Sequence, residues 1–163
     1  MAYTDRFNDV DALISNLNPI IPSLPFDVQA KFVGFLAVNA VTAYELAIKE
    51  IIEDYASSKH CDFGEYVRCA LARINGRIKI SDIKGELNKF GGSYKGNFET
   101  NLVSKEASVL QNTGKSLSAC YDNLLTCRHR YVHASVITLT IQECVDYYNI
   151  GKNVIDALFD SMK

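Results

Sequence analysis

The sequence predicts an all-α fold, and three observations carry that prediction. Apolar residues recur at helical spacing along nearly the whole chain. All three prolines, Pro19, Pro22 and Pro25, fall close together near the N-terminus, so nothing after them forbids long helices. The one run of strand-like composition, Val136-Ile137-Thr138-Leu139, is too short and has no second strand to pair with. A chain of 163 residues is long enough for one domain with its own core.

The elements follow in order. A first helix is expected from Thr4 to Asn16, with Phe7, Val10, Leu13, Ile14 and Leu17 near one face. The segment Asn18 to Pro25 breaks it. A long second helix runs from Asp27 to Ser57. Its first half is apolar all round (Phe32, Val33, Phe35, Leu36, Val38, Val41), the pattern of a buried central helix. Its second half becomes amphipathic through Leu46, Ile48, Ile51, Ile52 and Tyr55. A third helix is expected from Asp62 to Ile74, ended by Asn75-Gly76. Ser81 is read as the cap of a short helix from Asp82 to Lys89, closed by Phe90-Gly91-Gly92. Residues 93–97 read as a polar loop and Phe98 to Gln111 as a helix, with Asn112-Thr113-Gly114 a break. Ser116 caps a helix from Leu117 to Val132. Thr140-Ile141-Gln142-Glu143 is a capping box that opens a last helix, with Val145, Tyr148, Ile155, Leu158 and Phe159 on its buried stripe. The domain division is an N-terminal helix and Pro-containing linker, 1–25, followed by a helical domain, 26–163.

Composition excludes some functions. Lys and Arg total 17 against 19 Asp and Glu, so the net charge of −2 is unlike a generic nucleic-acid coat. Basic charge is local instead: Arg68, Arg73, Arg77, Lys79, Lys84, Lys89 and Lys95 face only Asp82 and Glu86 in sequence. Such a run is ordinarily a solvated helix face, and otherwise a surface that tracks phosphates. The opening Met1 to Arg6 lacks a basic start and an apolar core, and Asn39, Thr42 and Glu45 interrupt the apolar part of the second helix. A cytoplasmic protein without a membrane partner is expected. Five cysteines without a C-x2-C pair argue for reduced thiols, and Cys120 and Cys127 for one buried stripe.

The most informative stretch is Arg128-His129-Arg130-Tyr131-Val132-His133. A guanidinium grips a phosphate by paired hydrogen bonds, and an imidazole exchanges protons near neutral pH. Together they suffice to cut a phosphodiester without a metal. The plainer reading is that cations favour the negative end of a helix dipole. On an ideal helix the five-residue spacing puts Arg128 and His133 roughly 140° apart, so one site needs a helix end, a distortion or a second chain. His129 and His133 are spaced as a metal pair on one helical face. The intervening residues are not H-E-x-x-H, and the neighbouring guanidinium groups oppose a cation, so no metal or cofactor is expected. Glu45 lies at the start of the amphipathic half. It is read either as simply exposed or as a partner that sets the geometry of Arg128 or Arg130. Asn123, five residues before Arg128, is a further supporting candidate. Tyr131 is read as packing, and His60 as surface.

The run Tyr121-Asp122-Asn123-Leu124-Leu125-Thr126-Cys127, then Arg128-His129 and Val132-His133-Ala134, resembles the R-x4–6-H signature of HEPN domains, in the RiboL-PSP-like group. The helix around Ala43-Tyr44-Glu45, the stretches Arg77 to Ile80 and Asn88 to Gly91, and the last helix also look like that group, so the similarity extends from about residue 28 onward. The resemblance implies an up-and-down helical bundle of HEPN type and a homodimer in which two motifs face each other. It implies a metal-independent RNA endonuclease in which the ribose 2′-hydroxyl attacks the adjacent phosphate. Arg128 would then stabilise the phosphate and His133 act as acid or base, with His129 and Arg130 supporting. The setting it implies is bacterial defence or a toxin–antitoxin system, with RNA as substrate and a cognate antitoxin or defence protein as partner. Two alternatives stay open: a non-catalytic HEPN module binding RNA, nucleotide or protein, and a plain helical interaction domain.

Overall fold

The computed structural model describes residues 2–72, 76 and 78–163. Among these it has seven α-helices and no strand: α1 (Asn8–Leu17), α2 (Phe26–Lys59), α3 (Cys61–Leu71), α4 (Ile80–Phe90), α5 (Gly92–Thr113), α6 (Leu117–Ala134) and α7 (Ile141–Ser161). Short 3-10 turns precede α1 and α2. The expected all-α bundle is what the chain forms.

The central helix is α2, 34 residues and therefore roughly 51 Å long. By length and composition it is apolar enough to cross a membrane. Within this fold its apolar positions are spent on neighbours: it packs against α3, α6 and α7. Leu36, Ala37, Ala40, Tyr44, Ala47 and Ile52 are completely buried. Each large apolar side chain removed from water contributes about 1.5–3 kcal/mol. At mid-height Tyr44 lies between the near-parallel rings of Tyr121 (α6) and Tyr148 (α7), at 5.5 and 5.8 Å. The Tyr44 hydroxyl donates to the Tyr148 carbonyl. This stack ties the three helices together where an aliphatic core alone would leave relative rotation less defined.

The segment before residue 26 packs on the rest of the chain: Phe7 and Val10 join the common core, and Ile21 is buried. The Tyr3 hydroxyl donates to Asp156 at 2.9 Å, and Lys152 pairs with Asp11 at 2.7 Å. Two expectations about element boundaries are corrected. The polar loop expected at 93–97 is helical, because α5 starts directly after Gly91. Gly91 alone makes the reversal at φ 131°, and the Tyr94 ring then packs on Tyr55 at 5.3 Å. Packing thus overrides the low helix propensity of Gly92 and Gly96. Finally, α4 starts at Ile80 rather than after Ser81. The Asp82 carboxylate accepts the Lys79 N–H at 3.1 Å, which places the cap two residues earlier.

Elsewhere the match is close. Thr140 and Glu143 form the capping box of α7. Residues Val136 to Leu139 are irregular and unpaired with any strand. The helix α3 is described to Leu71, and Gly76 has the left-handed φ of 71° expected of a turn glycine. Arg73, Ile74, Asn75 and Arg77, on which the end of that helix and part of the basic run fall, lie outside the described residues.

Candidate functional site: a cationic cleft on α6

The helix that carries the motif is held at both ends. At its start the Ser116 hydroxyl accepts the Ala119 N–H at 3.2 Å. The Glu106 carboxylate of α5 accepts the N–H groups of Leu117 and Ser118 at 3.1 and 2.9 Å. Burial works to raise the Glu106 pKa, but the hydrogen bonds from Ser116, Ser118 and Leu117 outweigh it and hold the carboxyl below its ordinary range. Along the helix Leu117, Cys120, Tyr121, Leu124 and Cys127 face the core. Burial pushes the Cys120 and Cys127 thiols up. At its end Ser135 takes a left-handed φ of 54° and its N–H returns to the Tyr131 carbonyl at 2.9 Å.

The helix runs unbroken from Leu117 to Ala134, so Arg128 and His133 keep their wide angular separation. A cleft of about 410 Å³ opens beside it. Arg128, His129 and Arg130 line it together with Asp122, Leu125 and Thr126 of the same helix. Val41 of α2 and Gly76 and Lys79 ahead of α4 form the remaining wall. Arg128 is half-buried, and its Nε is a buried nitrogen without a hydrogen-bond partner among the described residues. A buried donor left unpaired is costly, so a site that supplies an acceptor there gains the full hydrogen bond. His129 and Arg130 are exposed along the rim.

His133 does not line this cleft; its ring sits against the His129 ring, centroids 4.5 Å apart and planes at 50°. Asn123 is exposed and also outside the lining. Glu45 is half-buried, and its partners among the described residues are Lys49 and Gly76. Its carboxylate takes Lys49 at 2.7 Å and the Gly76 N–H at 2.9 Å. It therefore holds the chain that forms the cleft wall. On the opposite side the Tyr121 hydroxyl donates to the Ile78 carbonyl at 2.7 Å, a second tether on the same wall. Tyr131 is packing, as read: it lies against Gly34 of α2.

Of the basic run, Lys79 lines the cleft. Arg68 pairs with Glu65, Lys84 with Glu99 and Lys89 with Glu86, so these charges are largely neutralised at home. Sequence reasoning missed Asp122 and Thr126 as lining residues. The signal was there in their spacing to His129, seven and three residues along one helical face. Among the described residues one mixed donor group, His60, Cys61 and Asp62, gathers at the start of α3. All three are exposed, and one ring nitrogen of His60 already accepts the Asp62 N–H at 3.2 Å.

The fold and the motif helix define an all-α domain with an Arg/His-bearing cleft, of the HEPN type. The family model RiboL-PSP-HEPN matches residues 2–163, and the chain belongs to that family. The match takes in the N-terminal segment, in keeping with its place in the core. No curated protein and no solved structure matches the chain.

Proposed function

We propose that the protein is a metal-independent RNA endonuclease. The observation that carries this is the cleft in which Arg128, with a buried guanidinium nitrogen that has no partner among the described residues, stands beside His129, Arg130 and Lys79. A phosphodiester supplies charged acceptors for the guanidinium of Arg128. Arg128 holds the scissile phosphate and stabilises the charge that grows on it. His133 acts as acid or base, and the products are a cyclic phosphate and a free 5′-hydroxyl. A homodimer brings His133 of each chain to the phosphate held by the other. In support, Val132, Val136 and Phe35 are large apolar residues exposed near His133: Val132 and Val136 flank it in sequence, and Phe35 follows the glycine that packs on Tyr131. The cytoplasmic setting in bacterial defence, with an antitoxin or defence partner, rests on family membership.

The non-catalytic binding module is favoured by one observation: within a single chain His133 stands outside the cationic cleft. One experiment separates the two. Purified protein is incubated with RNA in excess chelator, alongside Arg128→Ala and His133→Ala. The nuclease reading expects cleavage by the parent protein alone. Retained RNA binding with no cleavage by the parent selects the binding module.

A further inference from the structure

Cutting RNA through its own 2′-hydroxyl needs two proton transfers at different oxygens. A base removes the proton from the 2′-oxygen as that oxygen bonds to phosphorus. An acid delivers a proton to the 5′-oxygen as the P–O5′ bond breaks. No electrons are gained or lost, and one proton moves from the 2′-oxygen to the 5′-oxygen. A single imidazole on one side of the phosphorus serves only one of these oxygens well, because attack and departure are in line.

This chain carries a second imidazole, and it lines the cleft. His129 is on the cleft wall beside Arg128, and its ring lies against that of His133, centroids 4.5 Å apart and planes at 50°. The motif histidine is the one outside the lining. We infer that His129 of one chain and His133 of its homodimer partner act as a two-histidine acid–base pair on opposite sides of the phosphorus, with His129 the proton-transfer group inside the cleft. The inference rests on the nuclease reading and assigns to His129 a catalytic role beyond support. One ring ends each turnover with a proton and the other without, and exchange through water resets them. The charged groups facing His129 are Lys79 ahead of α4 and Asp122, Arg128 and Arg130 of α6, while α2 presents the apolar Val41. The pair is exposed, so neither ring is needed for the core.

The test compares His129→Asn, His133→Asn and the parent on three substrates: RNA, RNA with a single 2′-deoxy at the cut site, and RNA with sulfur in place of the 5′ bridging oxygen. Sulfur leaves without a proton, so it makes an acid unnecessary. On RNA each variant is expected to lose about 10²- to 10⁴-fold in rate, and to bind the uncleavable strand within about threefold of the parent. The parent pH–rate profile is expected to be bell-shaped, and each variant to lose one limb of it. On the sulfur substrate one variant, and only one, recovers. A His129→Asn protein that cuts RNA at the parent rate overturns the inference, as does failure of both variants to recover on the sulfur substrate. A parent that does not cut RNA at all defeats the nuclease reading itself, a different outcome from either.

Discussion

Gly34→Ala tests how tightly the motif helix is fixed to the core. A Cβ at this position would stand 2.5 Å from Cγ of Tyr131, inside the range that real side-chain carbons essentially never show. The nearest atoms include the ring root, so rotation of the ring does not relieve the overlap. Either Tyr131 swings out or the end of α6 retreats from α2. Two effects compete. Alanine in place of an interior helical glycine stabilises by about 1 kcal/mol. Overpacking costs about 1–3 kcal/mol and wins unless α6 yields freely. A retreat of about 1 Å moves Arg130 and His133 with it and is expected to cost about 10²-fold in cleavage rate. The assay is thermal unfolding and RNA cleavage of Gly34→Ala, Tyr131→Ala and the double variant, with Gly85→Ala as a control. Gly85 is helical with open space around it, so its alanine is expected to stabilise. The double variant is expected to be less impaired than the single effects sum to, because the clash is gone. A Gly34→Ala protein as stable and active as the parent, or strictly additive effects, would refute the reasoning.

Three further outcomes are expected. In Gly151→Ala the new carbon meets the Tyr44 hydroxyl, so the variant should unfold earlier, and Tyr44→Phe should relieve part of that loss while itself costing about 1 kcal/mol for the lost hydrogen bond; denaturant midpoints of the four proteins measure this. The Thr140 N–H and hydroxyl hold the Glu143 carboxyl below its ordinary value of 4.5. A depressed carboxyl contributes stability above that value and loses it as pH falls through the folded-state pKa, so the Tm should drop on acidification below about 4.5, and less steeply in Thr140→Ala. Native protein should titrate two thiols, the exposed Cys61 and Cys69, and unfolded protein all five; burial keeps the others protonated, Cys144 with its pKa pushed up to about 12.

What the sequence made legible was whatever had a local cause. The Ser116 cap and the Thr140–Glu143 box set the starts of α6 and α7 through bonds spanning three residues, and both lie where expected. The buried stripe of Leu117, Cys120, Tyr121, Leu124 and Cys127 was readable from period alone. What escaped depended on distant partners. The start of α5 is decided by Tyr94 meeting Tyr55, thirty-nine residues away, which no local propensity announces. Glu45 was open between an exposed residue and a partner of the arginines, and its bond to the backbone of Gly76, thirty-one residues away, had no local sign. The Arg128-to-His133 motif was legible, and so was its division: the helix continues without distortion, so Arg128 and His129 line the cleft while His133 stands outside it.

The most direct measurement of the central claim is the chemistry of the cut ends. A defined RNA, incubated with the protein in excess chelator, is analysed by mass spectrometry beside the same strand with a single 2′-deoxy at the cleaved position. The account predicts a cyclic phosphate on one fragment and a 5′-hydroxyl on the other, no cut at the deoxy position, and neither product with Arg128→Ala. A 5′-phosphate product, cleavage of the deoxy strand, or cleavage that appears only on adding a divalent metal would contradict it.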